Sequence, residues 1–339
     1  LMRETMSEDK ERLMLKSPST GIDELRRAIA DYLYQFRGMA VEPEQIVIGA
    51  GTEYLYGLII QLLGLDKIYA VEDPGYQKIA HIYRANQVTC AHVPLDDNGI
   101  NMKALEQSDA DVLHISPSHH FPTGLVTPIS RRHELLAWAS QSDDRFIIED
   151  DYDSEFRLLG KPIPALQSID ASEKVIYMNT FSKSLTSTIR ISYMILPKTL
   201  MERYNRELNF YSCTVSNFEQ YTLAKFIERG YFEKHINRMR NYYRNMRDNI
   251  LEHIKSRTAK KKIHILEEDA GLHFLLKVDT ALTDQALKNS AASQGIHVSC
   301  LSEYYHDQQS ATAHTLVINY SRLNEDDIPE AIDRLFKSF

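Results

Sequence analysis

A lysine amine condenses with an aldehyde to give a Schiff base, and the setting of Lys183 suits that chemistry. It follows the apolar stretch Val175–Asn179 in the run Thr180-Phe181-Ser182-Lys183, with Arg190 shortly after. Thr180, Ser182 and Arg190 are residue types that hold a phosphate. A second run, Phe146-Ile147-Ile148-Glu149-Asp150-Asp151-Tyr152-Asp153, sets acids around a tyrosine where an apolar stretch ends. Carboxylates at the inner edge of a sheet are costly unless a cation meets them; a protonated pyridine nitrogen is such a cation. A third run, Gly49-Ala50-Gly51-Thr52, offers an anion free backbone N–H groups and a helix dipole. A fourth, Glu72-Asp73-Pro74-Gly75-Tyr76, puts Tyr76 where it can stack on a flat ring. Taken alone, each has an ordinary explanation: a surface lysine, a solvated acidic loop, a tight turn, a core or surface tyrosine. Together they fall in one order at the C-terminal ends of predicted strands, the edge where ligands sit in open α/β sheets.

The elements that must position these runs are readable from apolar periodicity. Ile22, Leu25, Ile29, Leu33 and Phe36 recur at helical spacing and predict an amphipathic helix over 22–36, with Gly38 as its C-cap. Short apolar runs at 46–48, 67–71, 88–93, 112–116, 146–149, 175–179 and 191–196 suit strands buried on both faces. Helices are predicted at 53–63 and at 130–140, the latter capped by Ser130. Alternating strands and helices imply a doubly wound α/β layer structure. Beyond residue 198 the pattern changes to helices at 199–210 and 218–255, then short strands at 263–266, 273–278, 297–299 and 316–319 with helices at 283–294 and 325–337. That is a small α+β domain, and the helix at 22–36 is expected to pack with it.

Bulk properties agree with a large and a small domain. The chain has 339 residues, 43% hydrophobic and 25% charged, with a net charge of −8. An acidic surface is a poor nucleic-acid binder. Three separated cysteines, Cys90, Cys213 and Cys300, show no metal-ligand spacing and fit reduced thiols in a cytoplasmic protein. No apolar run approaches the roughly 20 residues of a membrane helix.

The runs together resemble fold-type I pyridoxal-phosphate enzymes of the class I/II aminotransferase group. Within that group the chain is most similar to the aminotransferase-like domain of MocR-type regulators in the GntR superfamily. Beyond the four runs, the resemblance is carried by Gly21-x-x-x-Leu25-Arg26, Arg37-Gly38, Pro117-Ser118-His119-His120-Phe121-Pro122-Thr123-Gly124, Ser154-Glu155-Phe156, Pro164-Ala165-Leu166-Gln167, Arg190-Ile191-Ser192-Tyr193 and Ser321-Arg322-Leu323. It implies an α/β fold of type I, with a mainly parallel sheet of the seven-stranded type and a small α+β domain. The large cofactor-binding domain is expected over 42–200, with part of 201–225 as a connecting helix. The small domain is expected over 1–41 and 226–339.

The resemblance also assigns roles. Lys183 would form the internal aldimine with pyridoxal 5'-phosphate and act as the catalytic residue. Asp150, with Asp151 as the competing choice, would pair with the pyridine nitrogen. Tyr152 would donate to the 3-hydroxyl oxygen and Tyr76 would stack on the ring. Gly51, Thr52, Thr180, Ser182 and Arg190 would complete the cofactor site. Arg322 would grip an effector carboxylate, and Lys78 is a second anion contact. Two departures stand out: Phe121 occupies the place of the usual asparagine, and Ser187-Thr188 that of Pro-Gly. Transaminase activity is therefore expected to be weak or absent. The implied function is an effector-sensing and dimerisation domain that takes an amine or amino acid as an external aldimine. The alternative is a free-standing aminotransferase working with a keto acid. DNA would be bound only by a winged helix-turn-helix outside this chain, which starts at Leu1 and is expected to be the trimmed effector part of a regulator. No metal is expected.

Overall fold

The structure, a computed structural model, describes residues 1–158, 163–257, 263–269, 271–321 and 323–339. Its main sheet is built from β1 (Ile46–Gly49), β2 (Ile68–Asp73), β3 (Thr89–Asp96), β4 (Gly99–Ile100), β5 (Val112–Ile115), β6 (Phe146–Asp150), β7 (Val175–Thr180) and β8 (Ser192–Ile195). The order is β1-β8-β7-β6-β5-β2-β3-β4. The run from β7 through β6, β5 and β2 to β3 is parallel, whereas β8 is antiparallel to both of its neighbours. The sheet thus has eight strands among the described residues rather than the expected seven. The extra one, β4, is a two-residue hairpin return onto β3, too short to leave a periodic signal. Its turn is held by the Asn98 N–H donating to Asp96 Oδ1 at 2.8 Å.

Helices α1 (Met2–Glu8), α2 (Lys10–Leu13), α3 (Asp23–Arg37), α4 (Thr52–Leu63), α5 (Gln77–Ala85), α6 (Met102–Glu106), α7 (Ile129–Ser140), α8 (Phe181–Ser184), α9 (Lys198–Glu207), α10 (Asn217–Glu228) and α11 (Tyr231–Lys255) cover this sheet or lead away from it. Side-chain alternation sorts the strands' residues between two faces. Val47, Ile148, Ile176 and Met194 join α4 and α9 in one core. On the other face, Ile147 and Val175 meet α7, and Ile46, Ile48, Tyr177 and Tyr193 meet α3, α10 and the start of α11.

Three expectations change here. Helix α3 packs on α10, on Phe232 at the start of α11 and in the core against the main sheet, rather than in the core of the small antiparallel sheet; its apolar stripe matches the face left by β1 and β8. Ser130 lies inside the first turn of α7, whose N-cap is Pro128; the rigid proline places the chain for the helix two residues earlier. The long helix over 218–255 is divided by Gly230, which adopts φ +69° and separates α10 from α11.

The small domain has the antiparallel sheet β11-β12-β10-β9, formed by β9 (Ile263–Leu266), β10 (His273–Val278), β11 (Ser299–Cys300) and β12 (Thr315–Asn319). Helices α11, α12 (Asp284–Ser293) and α13 (Ile328–Lys337) accompany it; Met246, Ile250, Phe274, Leu276, Ile332 and Leu335 share its core.

Candidate functional site

The C-terminal ends of β2, β5, β6 and β7 open on a cavity of about 420 Å³. Asp150, the last residue of β6, lines it. The Tyr56 hydroxyl, on α4, donates to Asp150 Oδ2 at 2.5 Å, and His114 Nε2 lies 3.7 Å from the same oxygen. The other nitrogen of His114 is 2.6 Å from the Tyr83 hydroxyl. Asp150 Oδ1 is buried and has no protein partner. Such an oxygen is expensive to leave unmatched.

Asp151 takes a different path. Its carboxylate meets Arg37 at 2.5 Å and the Tyr177 hydroxyl at 2.7 Å. Burial pushes its carboxyl upward, but Arg37 and the hydroxyl donors outweigh that and hold it below the usual range. Asp151 is therefore engaged in the core, while Asp150 faces the cavity. Glu149 is also a structural group: it accepts the backbone N–H groups of Leu166 and Gln167 and sits 3.5 Å from the buried Arg132.

At the other end, β7 delivers Thr180, whose hydroxyl oxygen accepts the Ser182 N–H at 3.2 Å and the Ser192 hydroxyl at 2.8 Å. This caps α8, the single turn that carries Lys183 to the cavity wall. The Ser182 hydroxyl donates to the Ile189 carbonyl at 2.8 Å. Both hydroxyls thus hold the turn as well as line the cavity. Gly51 has φ +96°, and a Cβ there would lie 2.3 Å from Arg190 Nη2. Thr52 opens α4 beside it. Arg190 lies 3.2 Å from Glu53, and Lys78 is paired with the same carboxylate. These two cations are close enough to share one anion.

Tyr76 is 51% exposed and edge-on to Phe121, with ring centroids 5.9 Å apart. Tyr152 also lines the cavity. Arg322 lies outside the described residues.

Several cavity groups were missed in the sequence. Tyr56 lies one turn after Thr52, and that spacing was the available signal. His114 stands in an apolar strand and reads as core. Glu72 accepts the Ser116 N–H at 3.0 Å, and burial pushes its carboxyl up to about 8. Asp73 joins the two domains: it accepts the backbone N–H groups of His306 at 2.8 Å and Asp307 at 3.3 Å. The His306 ring stacks on His92 of β3 at 3.8 Å.

Residues 2–335 match the model of "Aminotransferase class I and II". The chain belongs to the aminotransferase class I and II family. This family member is 40% identical to the uncharacterized HTH-type transcriptional regulator YdeL of Bacillus subtilis over 92% of the chain and 66% of the relative. It is 31% identical to the probable rhizopine catabolism regulatory protein MocR of Rhizobium meliloti, over 94% of the chain and 64% of the relative. The chain thus spans just under two thirds of the length of these regulators. Among solved structures, Pyrococcus horikoshii kynurenine aminotransferase superposes with a TM-score of 0.84 at 24% identity, covering 99% of this chain and 85% of that one. The superposition establishes the shared fold.

Aminotransferases of this family depend on pyridoxal 5'-phosphate, and the residues present fit that group. Asp150 Oδ1 is an unmatched buried acceptor suited to a protonated ring nitrogen. The surface of Gly51 next to Arg190 is a space that a Cβ would fill. Lys183 supplies a primary amine to the same cavity.

Proposed function

We propose that this chain is the pyridoxal-phosphate-binding, effector-sensing and dimerisation domain of a MocR/GntR-type transcriptional regulator. The observation that carries the cofactor reading is the partnerless Asp150 Oδ1 on the wall of the cavity that Lys183 also lines. The regulator reading is supported by the 40% identity to a helix-turn-helix regulator.

Bound in the cavity, the cofactor supplies an electrophilic carbon that a primary amine can attack. Asp150 would accept a hydrogen bond from the protonated ring nitrogen and so keep that positive charge matched. Gly51, Thr52 and Arg190 would hold the phosphate, with Lys78 as the second cation beside it. Tyr76 would cover the ring, Tyr152 would address its 3-oxygen, and Lys183 would offer the primary amine with which an effector amine competes. Arg322 is assigned the effector's carboxylate. Proteins of this fold are typically dimers, and a homodimer is proposed here. DNA contact would belong to a helix-turn-helix domain of the full regulator rather than to this chain.

Absorption spectroscopy tests the reading. Cofactor-loaded protein is mixed with a panel of amino acids and a keto acid. A stoichiometric spectral change without keto-acid product supports a sensor; repeated turnover replaces it with an aminotransferase. Failure to take up cofactor at all removes both.

A further inference from the structure

We infer that the stacked imidazoles of His92 and His306 are an acid-sensitive clasp between the two domains: they hold the small domain against the mouth of the cavity and loosen that contact when both rings carry a proton. The clasp concerns the domain contact itself and goes beyond the function proposed above, whatever fills the cavity. His92 stands on β3 of the main sheet, and His306 belongs to the small-domain segment that leads from β11 to β12. The ring centroids are 3.8 Å apart and the planes 3° from parallel. Both rings line the cavity that Lys183 also lines.

The rest of the contact is made of hydrogen bonds on either side of Tyr76. The Gly75 N–H donates to the Tyr304 carbonyl at 3.1 Å, and the Gln77 side-chain amide donates to the Glu303 carbonyl at 2.6 Å. Asp73 accepts the N–H groups of His306 and Asp307 at 2.8 and 3.3 Å. Every donor here is an amide and does not titrate. The imidazole stack differs. Uncharged rings at that separation attract by dispersion. Among the described residues neither imidazole has a hydrogen-bond or ion-pair partner, so a charge on one ring meets no compensating contact and is opposed by a charge on the other.

The charged and titratable groups facing the pair are Asp73 at the end of β2, His81 and Arg84 on α5, and Asp307 on the segment itself. Burial, the His306 charge and Arg84 oppose a proton on His92, Asp73 favours it, and the balance holds the His92 imidazole below its ordinary range. A basic group whose folded midpoint lies below its unfolded one costs nothing above the unfolded value and removes stability as pH falls below it. The clasp is therefore closed at neutral pH and weakens below about pH 6.5, the ordinary midpoint of histidine.

Two measurements on cofactor-free protein test this. Proton NMR follows the His92 imidazole through its titration in wild type and in His306→Phe, which keeps a flat ring in the stack and removes its charge. Taking away a unit charge about 4 Å distant in water should raise the His92 midpoint by about 0.7 of a pH unit, about a fivefold gain in proton affinity. An unchanged midpoint overturns the inference. Hydrogen exchange reads the contact itself. From about pH 7.5 to about pH 5, protection of the 306 and 307 amides, corrected for the intrinsic effect of pH on exchange, should fall by about fivefold more than protection at the centre of β6. In His306→Phe and His92→Phe that extra fall should vanish. Protection that holds in wild type, or falls equally in the Phe variants, sinks the idea. His306 is exposed, so His306→Phe leaves the core untouched, and it alone decides if His92→Phe does not fold. Cofactor uptake enters neither measurement: protein that binds no pyridoxal 5'-phosphate defeats the function proposed above, and the clasp is still judged by NMR and exchange.

Discussion

The Tyr56 hydroxyl and the Asp150 carboxylate are linked so that one carboxylate oxygen is satisfied by the protein and the other is held in reserve. Burial and the neighbouring carboxylate keep the Tyr56 phenol protonated, with its ionisation pushed well above the ordinary range. It is therefore a fixed donor. Tyr56→Phe keeps the ring in the core and deletes only that donor. It should cost about 1.5–3 kcal/mol in cofactor-free protein, the usual value of a hydrogen bond to a charged group, and weaken cofactor binding as well. Chemical denaturation and equilibrium dialysis measure the two effects; unchanged values in both leave Tyr56 without a role.

Arg37 and Asp151 form a pair that is almost fully removed from water, with side-chain exposures of 10% and 0%. Arg37→Met strands the carboxylate in the core and should destabilise the fold by about 3–5 kcal/mol. The double variant Arg37→Met/Asp151→Leu should recover most of that loss. A single variant that melts like wild type contradicts this picture of the pair.

Glu72 gives a pH dependence whose sign can be worked out. Its folded carboxyl titrates at about 8 because it is buried, while an unfolded glutamate titrates near ~4.3. Between those values the native state holds the extra proton, so this group's contribution makes stability fall as pH rises. In cofactor-free protein, the advantage of Glu72→Gln over wild type should widen steadily from about pH 5 to about pH 8. A constant difference across that window rules the assignment out.

Gly51→Ala introduces a Cβ against Arg190 at a backbone angle that side chains rarely adopt. Pyridoxal 5'-phosphate should bind at least about tenfold more weakly, for a strain of about 1–3 kcal/mol. Pyridoxal without its phosphate should be much less affected. Equal losses for both ligands would place the damage outside the anion end.

Asp73→Ala removes the acceptor of two backbone N–H groups in the 306–307 segment. Hydrogen exchange there should speed up by about tenfold, corresponding to roughly one net hydrogen bond, with the centre of β6 unchanged. Unaltered exchange at 306–307 means the contact does not hold the small domain to the sheet edge.

The runs at the strand ends were legible because each is local: an apolar strand, then a turn whose residues face the same edge. The acidic run shows where that stops. It reads as one cluster awaiting one cation, yet Glu149 goes to the 166–167 turn, Asp150 to the cavity, Asp151 to Arg37 and Asp153 to His119. Strand alternation separates neighbours in sequence onto opposite faces. The partners that give each acid its purpose come from distant segments, and no local pattern announces them. For the same reason the main-sheet and α10 neighbours of α3 were not legible: an amphipathic stripe says that a face is buried, not against what.

Helix α11 begins in the core beneath the main sheet, through Phe232 and Ile236, and ends in the core of the small sheet, through Ile250 and Ile254. It is one unbroken rod, with about 27 Å between Ile236 and Ile254 along its axis. It therefore ties the two cores together through one continuous helix that starts directly after Gly230. A tilt of about 2° at the near end carries the far end by about 1 Å over that length, so a modest repacking near Phe232 would be felt by the small domain as a translation.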